Sequence, residues 1–456
     1  MALKREQQIA VDLSIAGHSL FLTGKGGTGK SFVVKTIFKE LTKLNRKVYV
    51  TCSTGIACSN LPSSVGATTL HSFAGIKDGR GSSENLLDLV KSNKAACKRW
   101  LDAQVLIVDE ISMLNKHVFE SIEFISRRLR GNYIVFGGLQ VIGIGDFYQL
   151  PPVHNKSDIF SSNEYVFESS RWAHIFPHSV ELQEVVRQTD GEFVNFLNNV
   201  RVGRVTEDVY RFAENLLSDK TINPNDFGVD FLPEIFSTND DVDFKNHMCL
   251  EELPGDLQHF QSIDDGSKQL LNRCTTTPEH LHLKTGCRVI LTANIGERLV
   301  NGTRGIVTGF NQLNEPIVRF PSLGTSKVIK EHTVTICDER DRNKVLAQRV
   351  QIPLKLEWAI SVHKSQGMSL PCAVVNCGRE FAPGQLYVAV SRVTSKEGLL
   401  LKRFNAARKI PVPKRVTEFY DEISVGDVKS DCSCCRNEVP WTAADEPLEF
   451  FFQRVG

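Results

Sequence analysis

Apolar residues along this chain fall in short, dense runs, each closed by glycines or by a cluster of polar groups. The run His18-Ser19-Leu20-Phe21-Leu22 reads as a buried strand that leads straight into a glycine-rich loop. Past that loop Val34, Ile37, Phe38, Leu41 and Leu44 recur at helical spacing, so a helix is expected there. Val105-Leu106-Ile107-Val108 is a β-branched run with no polar alternation, as in a parallel strand covered on both faces. Leu139 to Gly145 has the same character. Further along, Gly286–Ala293 and Arg304–Phe310 read as two strands joined near a tight-turn signal, Asn301-Gly302. Short alternating segments with Pro316, Pro321 and Gly324 follow to about residue 350, and periodicity is lost from about residue 426.

The polar clusters that close these runs carry the chemistry. Residues 24 to 31 read Gly24-Lys25-Gly26-Gly27-Thr28-Gly29-Lys30-Ser31, a complete phosphate-binding loop between a strand and a helix. The glycines let successive backbone N–H groups turn inward, so a concave nest and a helix N-terminus face the phosphates. Lys30 is expected to reach the terminal phosphates and Ser31 to ligate Mg²⁺, so the chain is expected to bind a nucleoside triphosphate. The second strand ends in Asp109-Glu110. In a phosphate-loop ATPase the first such carboxylate helps hold Mg²⁺, and the second orients or deprotonates the attacking water. The third strand leads into Asp146-Phe147-Tyr148-Gln149-Leu150-Pro151-Pro152. There Gln149 either senses a γ-phosphate or simply satisfies loop backbone. Asn155-Lys156-Ser157-Asp158 fits a guanine-reading pattern but follows a diproline instead of a strand, and the acidic strand end lacks the Asp-x-x-Gly of a GTPase switch, so guanine specificity is rejected.

Composition narrows the setting. At 456 residues the chain exceeds a single core and should divide into two to four domains. Hydrophobic content of 41% with 23% charged residues is that of a soluble globular protein, and no apolar run is long enough to span a bilayer. The first residues, Met-Ala-Leu-Lys-Arg-Glu, have no apolar signal core, so neither a secretory signal nor a transit peptide is read. An intracellular setting, including a nucleus or another DNA-containing compartment, is therefore expected. A net charge of +1 excludes a polycationic arm but allows a local basic groove built from 54 Lys and Arg residues. Twelve cysteines, mostly within apolar segments such as those of Cys287, Cys337 and Cys372, suggest reduced core thiols. Cys432, Cys434 and Cys435 fit no common zinc spacing and are read as part of a mobile tail.

Further motifs then make a resemblance specific. Leu3–Gln7, Thr51–Ala57, Thr68–Gly75, Leu106–Leu114, Gly145–Val153, Glu181–Asp190, Leu354–Leu370 and Gly384–Gly398 occur in an order similar to that of superfamily 1 DNA helicases of the petite-integration-frequency type, relatives of the RecD-like helicases. The resemblance runs from about residue 3 to about residue 400. It implies an α/β fold of two RecA-like parallel-sheet motor domains with ATP between them. Residues 1–181 would form the first, with a wedge near 58–67, and 182–300 with 351–425 the second. A small β-barrel is expected over 301–350 and a tail over 426–456.

The resemblance also implies roles. Gln7 would read adenine, and Arg187 and Arg392 would reach the γ-phosphate from the second domain. Thr54, His71 and Phe73 would lie along single-stranded DNA, with Phe73 able to stack on a base. Val362-His363-Lys364-Ser365-Gln366-Gly367 independently reads as a phosphate-gripping turn, with Gly367 beside the nucleotide. Arg392 follows the apolar run Val388–Ser391, a place where an arginine is either a finger or a structural ion-pair partner. Two departures stand out: Lys25, where the family usually carries a small residue or proline, and a longer Cys58–Ala67 segment. The implied activity is ATP- and Mg²⁺-dependent translocation on single-stranded DNA, 5′-to-3′, with unwinding of forked or duplex DNA by a monomeric minimal motor core. An RNA-directed helicase, an ATP-switched loading factor that does not unwind and an inactive relative are the competing expectations.

Overall fold

The computed structural model describes residues 3–59, 61–152, 163–217, 221–296, 299–337, 345–376, 378–404 and 410–423. The stretch Asn155–Asp158, the cluster Cys432, Cys434 and Cys435, and the expected tail lie outside the described residues. The eight described cysteines are free thiols, three of them buried. Among the described residues no helix is long and apolar enough to cross a membrane.

The first apolar runs become neighbouring strands. β1 (Leu20–Gly24), β2 (Val48–Cys52), β3 (Thr68–Thr69), β4 (Val105–Asp109), β5 (Gln140–Ile144) and β6 (His178–Leu182) form one sheet in the order β3-β2-β4-β5-β1-β6. Every pairing in it is parallel. The runs lack polar alternation because both faces are covered. Leu20, Leu22, Val105 and Ile107 pack with Val33, Val34, Ile37 and Leu41 of the helix Lys30–Lys43. Phe21, Leu106 and Val108 point the other way, into Trp100, Phe119 and Ile122. Successive side chains thus serve two different cores. Leu44, expected on the helix stripe, caps the helix and is exposed.

A second sheet is built from β7 (Glu234–Phe236) and three strands that come much later in the chain. Between them lie β8 (Gln258–Gln261), β9 (Ile263–Gly266), β10 (His280–Leu283), β11 (Arg288–Leu291), β12 (Arg304–Phe310), β13 (Pro316–Phe320), β14 (Thr325–Val328), β15 (His332–Cys337), β16 (Val345–Gln351) and β17 (Leu354–Leu356). Then β18 (Ala359–Ser361), β19 (Ala373–Asn376) and β20 (Leu399–Lys402) complete the order β18-β7-β19-β20, parallel throughout. Ile235, Ile360, Val375 and Leu401 share a core there with Phe193, Phe196 and Val388.

The expected hairpin is present, since β11 pairs antiparallel with β12, Ile290 opposite Arg304. The boundaries expected for the insertion differ. The antiparallel sheets are β14-β13-β12-β11-β17, β15-β16-β9 and β10-β8, so pairing starts at Gln258 and ends at Leu356. Residues 301–350 are not separable, because β11 and β17 flank them and pair with each other. The early strands escaped notice because Gln258–Gln261 and Ile263–Gly266 are mostly polar and largely exposed.

One further expectation is corrected. Phe73 is buried, its ring 5.1 Å from that of Tyr49 and 4.9 Å from that of Trp100, so it is a core residue and no stacking platform for DNA bases. In the segment proposed as a wedge, Leu61 and Val65 are buried in the first sheet's core. Truncating a buried aromatic loses both transfer energy and packing. Phe73→Ala is therefore expected to destabilise the protein by about 3–5 kcal/mol in denaturant titration, against a fraction of that for Phe73→Leu.

Candidate active site

The glycine-rich loop joins β1 to the helix Lys30–Lys43, with Gly29 at the helix N-cap in the left-handed region (φ 88°). Gly27 is also left-handed (φ 86°), and a Cβ there would lie 2.7 Å from Cβ of Arg187. The loop is therefore tightly covered by the segment that leaves β6. Val186 and Arg187 both donate their backbone N–H to the Gly27 carbonyl, at 2.9 and 3.1 Å. Lys30 curls over the loop, and Nζ donates to the carbonyls of Gly24 (2.6 Å) and Lys25 (3.0 Å). Thr28 donates its hydroxyl to the Lys25 carbonyl at 2.9 Å, and Ser31 is exposed. Gln7 is buried against the same loop, with Nε2 donating to the Thr28 carbonyl at 3.3 Å.

Beside the loop, β4 delivers two buried acids. Asp109 Oδ1 accepts the Glu110 N–H at 2.9 Å, and Glu110 itself adopts a left-handed backbone (φ 54°). Its Oε2 accepts from Gln366 Nε2 at 2.9 Å. Burial first, and the Glu110 charge second, push the Asp109 carboxyl up to about 7. Gln149 donates Nε2 to Asp146 Oδ2 at 3.3 Å, while its Oε1 is buried and accepts no hydrogen bond from the described residues.

The segment after β6 and the stretch around Ser391 supply the opposing wall. Arg187 donates to the Ser391 carbonyl at 2.8 Å. Arg392 is 2% exposed and donates Nε to the Val388 carbonyl (2.9 Å) and Nη2 to Ser391 Oγ (2.8 Å). Burial, and then the neighbouring Arg392 charge, bring Arg187 down to about 9. Burial also lowers Arg392 and Lys30. All three cations sit in the field of the same carboxylate, Glu110. Lys25, the departure within the loop, is likewise lowered by burial and then by Arg201. Crowded buried cations of this kind fit a polyanion, and the adjacent buried acids Asp109 and Glu110 are donors of the kind a divalent ion accompanying it takes.

Reasoning from sequence missed several groups here. Tyr387 accepts the Gly26 N–H at 2.7 Å, and burial pushes its hydroxyl up to about 12. Gln188 donates to the carbonyls of Ser391 and Val393. Asp146 is fully buried in a bidentate pair with Arg201, at 2.8 and 3.1 Å. Tyr387, Gln188, Gln366 and Asp146 all stand inside quoted motifs, whereas Arg201 ends a helix with no local signal.

The residues expected along nucleic acid divide. Thr54 Oγ1 accepts the Ala57 N–H at 3.2 Å and so shapes its own turn. His71 is half-buried, and burial lowers its pKa. His363 stacks on the exposed ring of Phe381 at 5.9 Å, and burial lowers the pKa of both His363 and Lys364. Gly367 is left-handed (φ 78°), next to the Gln366 that grips Glu110. Ser365 is a correction: it is fully buried and spends its hydroxyl on the Val362 carbonyl at 2.8 Å, so it is a turn residue with nothing to offer a phosphate.

The raised Asp109 carboxyl has a stability consequence. The native state keeps a proton that the unfolded chain loses between its ordinary value of 3.8 and about 7, so native stability falls as pH rises through that window. Asp109→Asn is expected to melt above the parent protein at pH 8, with the gap closing toward pH 4. Thermal melts across that range without a pH-dependent gap would contradict the assignment.

Comparison with known proteins gives a consistent picture. Residues 3–211 match the model of the PIF1-like helicase family, and residues 269–310 that of the DNA helicase Pif1 2B domain. The ATP-dependent DNA helicase PIF1 of Xenopus laevis is 36% identical over 427 residues, covering 92% of this chain. This chain spans 64% of that relative's length. The crystal structure of Pif1 helicase from Candida albicans superposes with a TM-score of 0.84 at 36% identity, covering 93% of this chain and 100% of the other. The Bacteroides Pif1 helicase in complex with ADP-AlF3 and single-stranded DNA gives 0.73 at 29% identity, with coverage of 92% and 97%. The chain belongs to the PIF1-like helicase family.

Proposed function

We propose that this chain is an ATP-dependent DNA helicase that hydrolyses ATP with Mg²⁺, translocates on single-stranded DNA and unwinds forked or duplex DNA. The observation that carries the reading is the closure of later segments over the phosphate loop and its acids: Arg187 donates its N–H to the Gly27 carbonyl, Tyr387 accepts the Gly26 N–H, Gln366 holds Glu110, and Arg187 and Arg392 meet at Ser391. Each half alone lacks the other's charges. Turnover therefore depends on the relative placement of the halves, and the halves can be moved by turnover. The Bacteroides relative, solved with ADP-AlF3 and single-stranded DNA, supports the same pairing of ligands. An ATP-dependent DNA helicase would work in a DNA-containing compartment, and 5′-to-3′ polarity is taken from the family.

In this reading the loop Gly24–Ser31 holds the phosphates through backbone N–H groups, and Gln7, packed on Thr28, borders the adenine. Ser31 and Asp109 would hold Mg²⁺, which supplies charge neutralisation at the phosphates when bound. Glu110 takes the proton of the attacking water, and Gln149 orients that water. Lys30 exchanges its hydrogen bonds to Gly24 and Lys25 for phosphate oxygens. Arg187 and Arg392 stabilise charge on the transferred phosphoryl group. Thr54, His71, His363 and Lys364 are proposed to border the DNA strand. We further propose a division near residue 181, with the antiparallel sheets inserted in the second motor domain.

The reading predicts no ATP turnover for Lys30→Ala, and bound but unhydrolysed ATP for Glu110→Gln. Arg392→Ala should retain nucleotide and lose DNA-stimulated hydrolysis by about 10³-fold. Parent-like hydrolysis by Glu110→Gln would exclude its role as base. Fork unwinding measured with both tail polarities, and ATPase stimulation compared between single-stranded DNA and RNA, test the substrate. ATPase without strand displacement would mark a switch in place of a motor.

A further inference from the structure

The helix Lys414–Glu422 follows the last strand of the second sheet, yet it packs on the first. Val416 is fully buried in the core on one face of that sheet. Phe419 stacks on Phe167 at 4.3 Å and meets Phe147 edge-on at 5.3 Å. Arg415 pairs with Glu168 at 3.0 Å and donates to the Asn163 carbonyl at 2.9 Å. These contacts place Tyr420 with its hydroxyl between the ends of β1 and β5. Thr23, the residue before the phosphate loop, lies 2.9 Å from that hydroxyl. Phe147 donates its backbone N–H to it at 3.0 Å, and the phenol reaches Asp146 Oδ1 at 3.3 Å. A phenol has one proton and two lone pairs. With Thr23 and Phe147 as donors, the Tyr420 proton goes to Asp146, and every valence is used. Burial raises the phenol well above its ordinary pKa, so it remains a neutral donor.

Asp146 receives a second clamp. Arg201, at the end of the helix Gly191–Arg201, binds both of its oxygens and lies over the Tyr148 ring at 4.4 Å and the Tyr420 ring at 5.4 Å. Those two rings stack on each other at 4.8 Å. Burial alone would lower the Arg201 pKa, but the Asp146 charge and hydrogen bonds more than reverse it. Burial alone would raise the Asp146 carboxyl, but the Arg201 charge and hydrogen bonds bring it below its ordinary value. The outcome of this network lies one step further in. Asp146 Oδ2 accepts from Gln149 Nε2, which fixes which end of the Gln149 amide points where. Its Oε1 is then the end left buried without a hydrogen bond among the described residues.

We propose that Tyr420 and Arg201 are positioning residues which, through Asp146, hold the Gln149 amide so that its carbonyl oxygen faces the reacting water. This rests on the hydrolytic reading above. It assigns to the helix beyond the second sheet a part in the chemistry of the first, and it makes Gln149 orientation depend on elements from both halves. Rotation of the halves that strains the Arg201–Asp146 pair would also turn the Gln149 amide.

The test uses the full chain with DNA-stimulated ATPase kinetics. Tyr420→Phe keeps the stacked ring and removes three hydrogen bonds. It should lower kcat by about tenfold with KM for ATP changed less than about twofold. On a Gln149→Ala background the same change should cost less than about twofold, because the residue it positions is gone. Arg201→Lys keeps the charge, loses the two-pronged grip and should behave alike; it serves as the reading if Tyr420→Phe does not fold. An unchanged kcat in a folded Tyr420→Phe, or losses that multiply in full with Gln149→Ala, would overturn the proposal and leave the hydrolytic reading intact. Absence of ATP turnover by the parent protein would overturn both.

Discussion

The structure depends on how buried charge is neutralised across a cleft. Lys30, Arg187 and Arg392 are cations whose pKa values burial lowers, and Asp109 is an acid raised by burial. None would be tolerated so deep without opposite charge nearby. That charge comes from elsewhere in the fold: Glu110, just past β4 of the first sheet, sits in the field of Arg187, which follows β6, and of Arg392, which precedes β20. The Asp146–Arg201 pair repeats the arrangement with better geometry and complete burial. Electrostatic compensation therefore ties the two parallel sheets together alongside the apolar contacts of Val416 and Phe419 with the first sheet's core. Each sheet has its own apolar cluster.

A cleft held by ion pairs and single hydrogen bonds can respond to a ligand in a way that a shared apolar core cannot. Several close approaches mark where the halves meet. The Gly26 N–H rests on Tyr387, and a Cβ at Gly384 would lie 2.4 Å from the Gln149 carbonyl oxygen. Gly384 is left-handed (φ 75°), so both its backbone and its lack of a side chain are required. Phosphates entering the loop would compete with these contacts and with the Lys30 hydrogen bonds to Gly24 and Lys25.

The antiparallel insertion is anchored differently. It has a separate core of Leu281, Val289, Leu291, Val307, Val318, Phe320 and Leu354. Arg304 on β12 pairs with Glu357, just past β17, at 2.7 Å, and Arg349 on β16 pairs with Asp264 on β9 at 2.6 Å. These ion pairs join strands distant in sequence. These antiparallel strands leave and rejoin the chain near β7 and β18, which are neighbours in the second sheet.

Local pattern determined the parts of this protein that are local. The phosphate loop, β4 with its terminal Asp109 and Glu110, and the β11–β12 hairpin were legible because backbone conformation, periodicity and turn chemistry act over a few residues. Motif order indicated Arg187 and Arg392 and, by resemblance, a γ-phosphate for them to reach, but not that both lean on Ser391. Only the tertiary structure decided that Phe73 belongs to the core and that Ser365 satisfies its own turn, since burial depends on what packs against a residue from afar. The same holds for Arg201, Tyr387 and Tyr420. Each is an ordinary arginine or tyrosine in sequence, and its partner lies 55, 361 and 274 residues away. Charge and hydrogen-bond complementarity at that separation leaves no periodic trace, so it appears only once the chain has brought both ends together.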